Sequence, residues 1–258
     1  MKKIFLPLLL MIFFVTGCGG SQVVKYDKII IGLDDEFAPM GFRDENGKLV
    51  GFDIDLAKEM GKRLGVKLEF KPIGWDKKKE AITSGDVDII WNGLDITDKR
   101  KEYMIFTKPY MDDRQIFLIK DGSDQNINSE GDLAEKIVGV QSGSTAENYF
   151  EQEKALKNSF AGFKGYEKFK DGLDALTKDE IDVFVCDELI ARYEINQHPG
   201  KFNIIDVKTG FVTEVGIGFR KEDVELRDKV QKVFDKMVKD GTARKISKKW
   251  FQADLIKM

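Results

Sequence analysis

The sequence predicts an α/β fold built from two α/β units. Three observations carry that expectation. Short apolar runs at residues 29–33, 87–91, 137–140 and 181–186 read as strands of a largely parallel sheet. Stretches with apolar residues at three- and four-residue spacing lie between them and read as helices. The alternation then restarts near Gln115, after a first complete strand–helix–strand–helix–strand series.

Taken in order, Lys28–Leu33 is a continuous apolar run that stops at Asp34, Asp35 and Glu36, as a buried strand would. Asn46 and Gly47 mark a turn between short edges. A helix opens at Phe52, with Leu56, Met60 and Leu64 on one face. Asp53 and Asp55 suit its positive N-terminal end, and Gly65 suits the left-handed position that ends it. Val66, Leu68 and Phe70 alternate as a strand. A short helix around Ala81 and Ile82 leads through Gly85 and Asp86 into the run at 87–91. In the second unit, residues 115–120 are a strand and 121–124 a loop. The run at 137–140 leads into a helix opened by Ser144 and Thr145 and continuing through Tyr149. The strand at 181–186 ends on Asp187 and is followed by a helix. Residues 204–207 and 215–219 are further strands. Leu226, Val230, Val233, Phe234, Met237 and Val238 line one face of a helix that stops at Gly241, and a last helix carries Ile246, Trp250 and Phe251.

The ends of the chain speak to compartment. Lys2 and Lys3 precede an apolar stretch from Ile4 to Val15, too short for a bilayer core of about 30 Å. The following Val15-Thr16-Gly17-Cys18 resembles the lipobox of bacterial lipoproteins, which implies cleavage after residue 17 and acylation of Cys18. Residues 18–26 then read as a flexible tether. No other segment is apolar enough to span a membrane, so the expectation is a soluble extracytoplasmic body held at the cell membrane by lipid alone. After the leader the chain has 40 bases against 45 acids, a net charge of −5 without a basic stripe, which argues against nucleic-acid binding. The remaining cysteine, Cys186, has no partner for an intramolecular disulfide and reads as a small buried hydrophobe. The single histidine, His198, has no second ligand spaced for a metal, and no cofactor is expected.

In open α/β sheets ligands bind beyond the carboxyl ends of the strands. At those ends lie residues 34–37, 92–95, 142–145 and Asp187. A helix starting at Ser144 and Thr145 offers free N–H groups to an anion, and Arg100 offers a planar fork matched to a carboxylate. Asp95 and Asp187 are suited to an ammonium. Together these groups suit the two charged ends of an α-amino acid. Plainer roles stand beside them. Thr97 reads as a helix cap, and Ser144 with Thr145 reads equally well as cap or ligand contact. Trp75 and Trp91 read as core, and Lys77, Lys78 and Lys79 as an exposed face.

The segments GFDIDLAKEM (51–60), GDVDIIWNGLDITDKRKEYMIFTKPY (85–110), GVQSGST (139–145), DVFVCDE (182–188) and DGTARKISKKWF (240–251) together resemble the family 3 extracellular solute-binding proteins, the polar amino-acid receptors of ABC importers. The resemblance runs from about Asp27 to Phe251. It implies two α/β lobes joined by two crossover strands, of the periplasmic-binding-protein type II kind, closing by a hinge on a ligand in the cleft. It places one lobe at 27–112 plus 207–258 and the other at 113–206. By the same resemblance Arg100 clamps the ligand carboxylate with backbone N–H groups at Asp95 and Thr145. Asp187, Asp95 and the carbonyl of Gly93 take its ammonium. Phe37 and Phe52 wall the side-chain pocket, with Asp34 and Gln141 at its far end. Asp95 and the pair Trp91-Asn92 depart from the family's commoner, smaller residues, so the resemblance fixes the ligand class and not the ligand. The acids near the cleft lean toward a basic side chain such as arginine or lysine, while Gln141 keeps glutamine open. The implied partner is an ABC permease, served by a monomer. The rival readings are a dehydratase on the same scaffold and a ligand-sensing domain.

Overall fold

The computed structural model describes residues 26–257 except Asp124 and residues 206–211. The expectations for the leader, for Cys18, for nearly all of the tether and for Val207 lie outside the described residues.

The chain forms two α/β lobes. In chain order the first contains β1 (Lys28–Leu33), β2 (Glu36–Phe37), β3 (Gly41–Arg43), β4 (Leu49–Val50), α1 (Phe52–Leu64), β5 (Lys67–Pro72), α2 (Lys78–Thr83), β6 (Ile89–Ile90), α3 (Asp98–Lys101) and β7 (Met104–Phe106). The strand β8 (Met111–Lys120) leads into β9 (Ile137–Gln141), α4 (Thr145–Gln152), α5 (Lys154–Lys157), β10 (Gly162–Tyr166) and α6 (Phe169–Thr177). These are followed by β11 (Val183–Asp187), α7 (Glu188–Gln197) and β12 (Phe202–Ile205). Returning through β13 (Val212–Val215), the chain adds β14 (Gly218–Arg220), α8 (Val224–Lys239) and α9 (Thr242–Phe251).

One large sheet has the order β5-β1-β6-β14-β7 and a second β10-β9-β11-β8-β12, while β2, β3 and β4 form a small third sheet. The strands β1, β5 and β6 are parallel, as are β9, β10 and β11. Parallel neighbours need helical crossovers, and these cover the sheet faces with apolar side chains. The N-terminal half of β8 pairs with β13 while its C-terminal half pairs with β11 and β12. The antiparallel pair β8–β13 therefore forms the two-stranded crossing between the sheets.

Most elements fall where periodicity places them. Helix α1 ends at Gly65, whose φ of 71° is the left-handed conformation expected of it. Residues 215–219, read as one strand, are two: β13 ends at Val215, paired with Met111, and β14 begins at Gly218, paired with Ile90 and Phe106. The break occurs because the chain changes sheets there. The run at 87–91 pairs only through Ile89 and Ile90 before turning toward the cleft. The strand β7, the strand β10 and helix α6 had no counterpart in the sequence reading. Cys186 is buried in the core as a free thiol. Among the described residues no helix is long and apolar enough to cross a membrane.

Candidate functional site

The carboxyl ends of β1, β6, β9 and β11 converge on a small cavity of about 20 Å³ between the lobes. Of the residues singled out in the sequence, Phe37, Gly93, Asp95, Arg100, Gln141, Thr145 and Asp187 line it. The lobes touch around it. Gln141 Nε2 donates to Asp34 Oδ2 at 2.7 Å, Thr145 Oγ1 donates to Asp95 Oδ2, and Lys168 pairs with Glu36 at 2.6 Å.

One end of the cavity is basic. Thr97 caps α3 by accepting the Arg100 N–H at 3.3 Å, and this short helix delivers the Arg100 side chain inward, only 3% exposed. Its guanidinium donates to the carbonyls of Asp95 at 2.9 Å and Gly143 at 3.3 Å, and its Nε has no protein partner. Opposite, Ser144 caps α4 by accepting the Glu147 N–H at 3.1 Å. The first turn of α4 thus brings the positive end of a helix, with N–H groups that have no intrahelical acceptor, to the same place.

The other end is acidic. Asp187 occupies the N-cap position of α7 yet makes no capping bond. Its carboxylate instead accepts from Gln115 Nε2 and lines the cavity. Burial, then the charge of Asp95, pushes its pKa up to about 7, against the pull of Gln115 and Arg100. Asp95 is 3% exposed, and its Oδ1 has no protein partner. A third acid was missed in the sequence. Asp113 is buried on β8, and burial together with the charges of Asp187 and Asp95 raises its pKa well above the carboxylate range. Period-two reading of Met111, Asp113, Gln115 and Phe117 would have placed it on the inner face, since those four are all buried.

The remaining wall is aromatic. The Phe37 ring stacks on Trp75 with centroids 6.5 Å apart and meets Phe169 edge-on at 5.5 Å. Trp75, expected in the core, is buried there beside Ile82 and Val87 and also lines the cavity. Phe52, expected to wall the side-chain pocket, does not line the cavity. It is fully buried against Phe251 at 5.0 Å and Tyr110 at 6.3 Å, because it begins α1 and turns into the α1–α9 interface. Asp34 stands behind Gln141, its pKa raised by burial, and also accepts the Glu36 N–H at 3.0 Å.

Two further side chains shape the site. Asp53 is buried at the start of α1, accepting the Gly93 N–H at 2.7 Å and the Tyr110 hydroxyl at 2.8 Å. Its pKa is raised to about 7 by burial, which those bonds oppose. It ties the cavity loop to the base of the crossing strands. Lys78 contradicts its reading as part of an exposed face. It is 4% exposed, with Nζ donating to Trp75 O at 2.6 Å and to Gly143 O at 2.7 Å, while its neighbours Lys77 and Lys79 are exposed. Among the described residues no group of three or more His, Cys, Asp or Glu side chains is arranged to hold a metal ion. His198 lies outside the cavity, 3.6 Å from Glu194. Opposite charges at the two ends of this aromatic-sided space match in sign the two ends of a zwitterion.

Residues 29–253 match the family described as bacterial extracellular solute-binding proteins, family 3. The histidine-binding periplasmic protein of Salmonella typhimurium is 33% identical, over 99% of each chain. A solved substrate-binding protein of an ABC uptake transporter from Streptococcus pneumoniae, with bound histidine, is similar at 34% identity and TM-score 0.84, over 90% of this chain and 95% of that one. An ancestral arginine-binding protein bound to arginine is similar at 39% identity and TM-score 0.82, over 88% and 99%. An ancestral amino acid-binding protein described as a precursor of cyclohexadienyl dehydratase is similar at 33% identity and TM-score 0.79, over 87% and 96%.

Proposed function

The chain belongs to the bacterial extracellular solute-binding proteins of family 3, and on that premise we propose that it is an extracytoplasmic receptor for one polar L-amino acid, delivered to an ABC importer. The observation that carries this reading is the pairing of buried Arg100 at one end of the cavity with buried Asp95 and half-buried Asp187 at the other. Arg100 and the first turn of α4 take the α-carboxylate; Asp187, Asp95 and the Gly93 carbonyl take the α-ammonium.

The side chain of the ligand lies against Phe37 and Trp75 and reaches toward Gln141 and Asp34. A planar cationic head stacks on aromatic faces and pairs with a carboxylate, so a basic amino acid fits this wall best. Relatives named for histidine and arginine support that direction. Glutamine is the second reading, favoured by Gln141, whose amide is held to Asp34 and presents complementary groups to a side-chain amide.

Ligand groups are drawn from both lobes, which we place at 27–112 plus 207–258 and at 113–206. A ligand bridging them binds the closed arrangement better than an open one and shifts the population toward closure. A permease then reads the closed form. Lipid at Cys18 would hold the receptor, a monomer, at the cell membrane. A receptor rather than an enzyme is supported by relatives named as binding proteins; the dehydratase precursor is itself described as amino acid-binding.

A thermal-shift screen of the twenty L-amino acids, followed by calorimetry, tests the reading. A ligand at about 100 times its Kd stabilises the fold by about 2.7 kcal/mol. No stabilisation by any amino acid would refute the receptor role. Product formed from prephenate-like acids would favour the dehydratase.

A further inference from the structure

Lys78 is an ionic group that the receptor reading leaves unused. Its ammonium is nearly inaccessible, sits 4.7 Å from the centroid of the Trp75 ring, and has no carboxylate among its hydrogen-bond acceptors. Those acceptors are two carbonyls, one in each lobe: Trp75 O beside it, and Gly143 O across the cleft. Arg100 donates to the same Gly143 oxygen. Two cations of the first lobe therefore hold one carbonyl of the second, within two hydrogen-bond lengths of each other. Burial, then the charge of Arg100, holds the Lys78 pKa well below the usual lysine range, with Asp76 and Glu147 pulling the other way, so its charged form is costly unless something else at the site compensates it.

The position of Gly143 says what that is. It directly precedes Ser144 and Thr145, the cap and first residue of α4, and its N–H is tied to Glu147 Oε2 at 2.7 Å. The approach is close: a Cβ on Gly143 would lie 2.7 Å from Asp76 Cα and 2.9 Å from Lys78 Nζ. Holding this carbonyl fixes the turn that brings the α4 N-terminus to Arg100.

Resting on the proposed receptor role, we infer that Lys78 is a positioning residue for the carboxylate end of the site. Its ammonium docks the Gly143 turn against the first lobe, close to Arg100, and a ligand carboxylate beside the two favours its charged form. It does not touch the ligand. A free carboxylate gains from both effects, whereas a neutral carboxamide at the same place gains only from the docked turn.

Two variants separate the effects: Lys78→Met removes charge and donors, and Lys78→Gln keeps donors without charge. L-Arginine, L-histidine and L-glutamine are titrated calorimetrically against each, alongside the corresponding α-carboxamides. Losing a buried charged donor predicts that Lys78→Met weakens the free acids about 10- to 100-fold and the amides by a clearly smaller factor. Lys78→Gln is expected to weaken the acids more than the amides as well. Equal losses for acid and amide, unchanged affinity in either variant, or a Lys78→Met chain that does not fold would each overturn the inference. Failure of the wild-type protein to bind any of the acids or amides would instead count against the receptor role.

Discussion

Binding of an amino acid should expel a proton, and the acidic end of the cavity sets how much. With the lobes in contact, burial and the charge of Asp95 raise the pKa of Asp187 to about 7. A ligand ammonium between these carboxylates favours the ionised form and returns Asp187 toward an ordinary value near 4. At pH 7 about half a proton then leaves per ligand bound, and at pH 6 about 0.9. The sign follows directly: a group whose pKa falls on binding favours binding above its free pKa and opposes it below. Affinity should hold above pH 7 and weaken about 25-fold between pH 7.5 and 5.5. Asp113, also raised well above the carboxylate range by burial and by the charges of Asp187 and Asp95, adds to the count where the ammonium reaches its field. Calorimetry at pH 6.5 in phosphate and in Tris reads the released proton as a difference in apparent enthalpy. Asp187→Asn should remove most of that difference along with most of the affinity. Equal enthalpies in the two buffers for the wild-type protein would falsify the reasoning, because no carboxyl would then be changing its protonation.

Arg100→Lys, which keeps the charge but loses the planar fork and its hold on the Asp95 and Gly143 carbonyls, should weaken binding by about 2–5 kcal/mol; calorimetry giving wild-type affinity would remove Arg100 from the carboxylate site. Asp53→Ala strands the buried Tyr110 hydroxyl and the half-buried Gly93 N–H and should cost about 1–3 kcal/mol of stability in urea denaturation. Gly143→Ala forces a side chain onto a residue with φ of 75°, against Asp76 and the Trp75 carbonyl of the other lobe. Binding should weaken roughly tenfold or more, and small-angle scattering should show no contraction with ligand. Cys18→Ala should abolish labelling by a radioactive fatty acid and release the protein from membranes; a labelled, membrane-bound variant would end the lipoprotein reading.

Local chemistry was legible in the sequence. The buried run of β1, the face of α1 with its stop at Gly65, and the caps at Thr97 and Ser144 depend on neighbours within a turn or two. So does the rule that acids and donors at strand ends gather in a cleft, which brought Asp95, Arg100, Thr145 and Asp187 together before any coordinates, while Gln141 came from the family resemblance. The tertiary structure decided what each long side chain is for. Phe52 and Trp75 are both buried aromatics; α9 covers the first away from the cavity, while the second, stacked on Phe37, also lines it. Lys78 sits between two exposed lysines, and its buried ammonium rests on the neighbouring Trp75 carbonyl and on the Gly143 carbonyl, 65 residues away. Asp113 becomes a member of the acidic end only because β8 lies beside β11, which carries Asp187. Periodicity and capping are short-range and survive in the sequence, whereas the cost of burying a charge depends on partners that only the closed chain supplies.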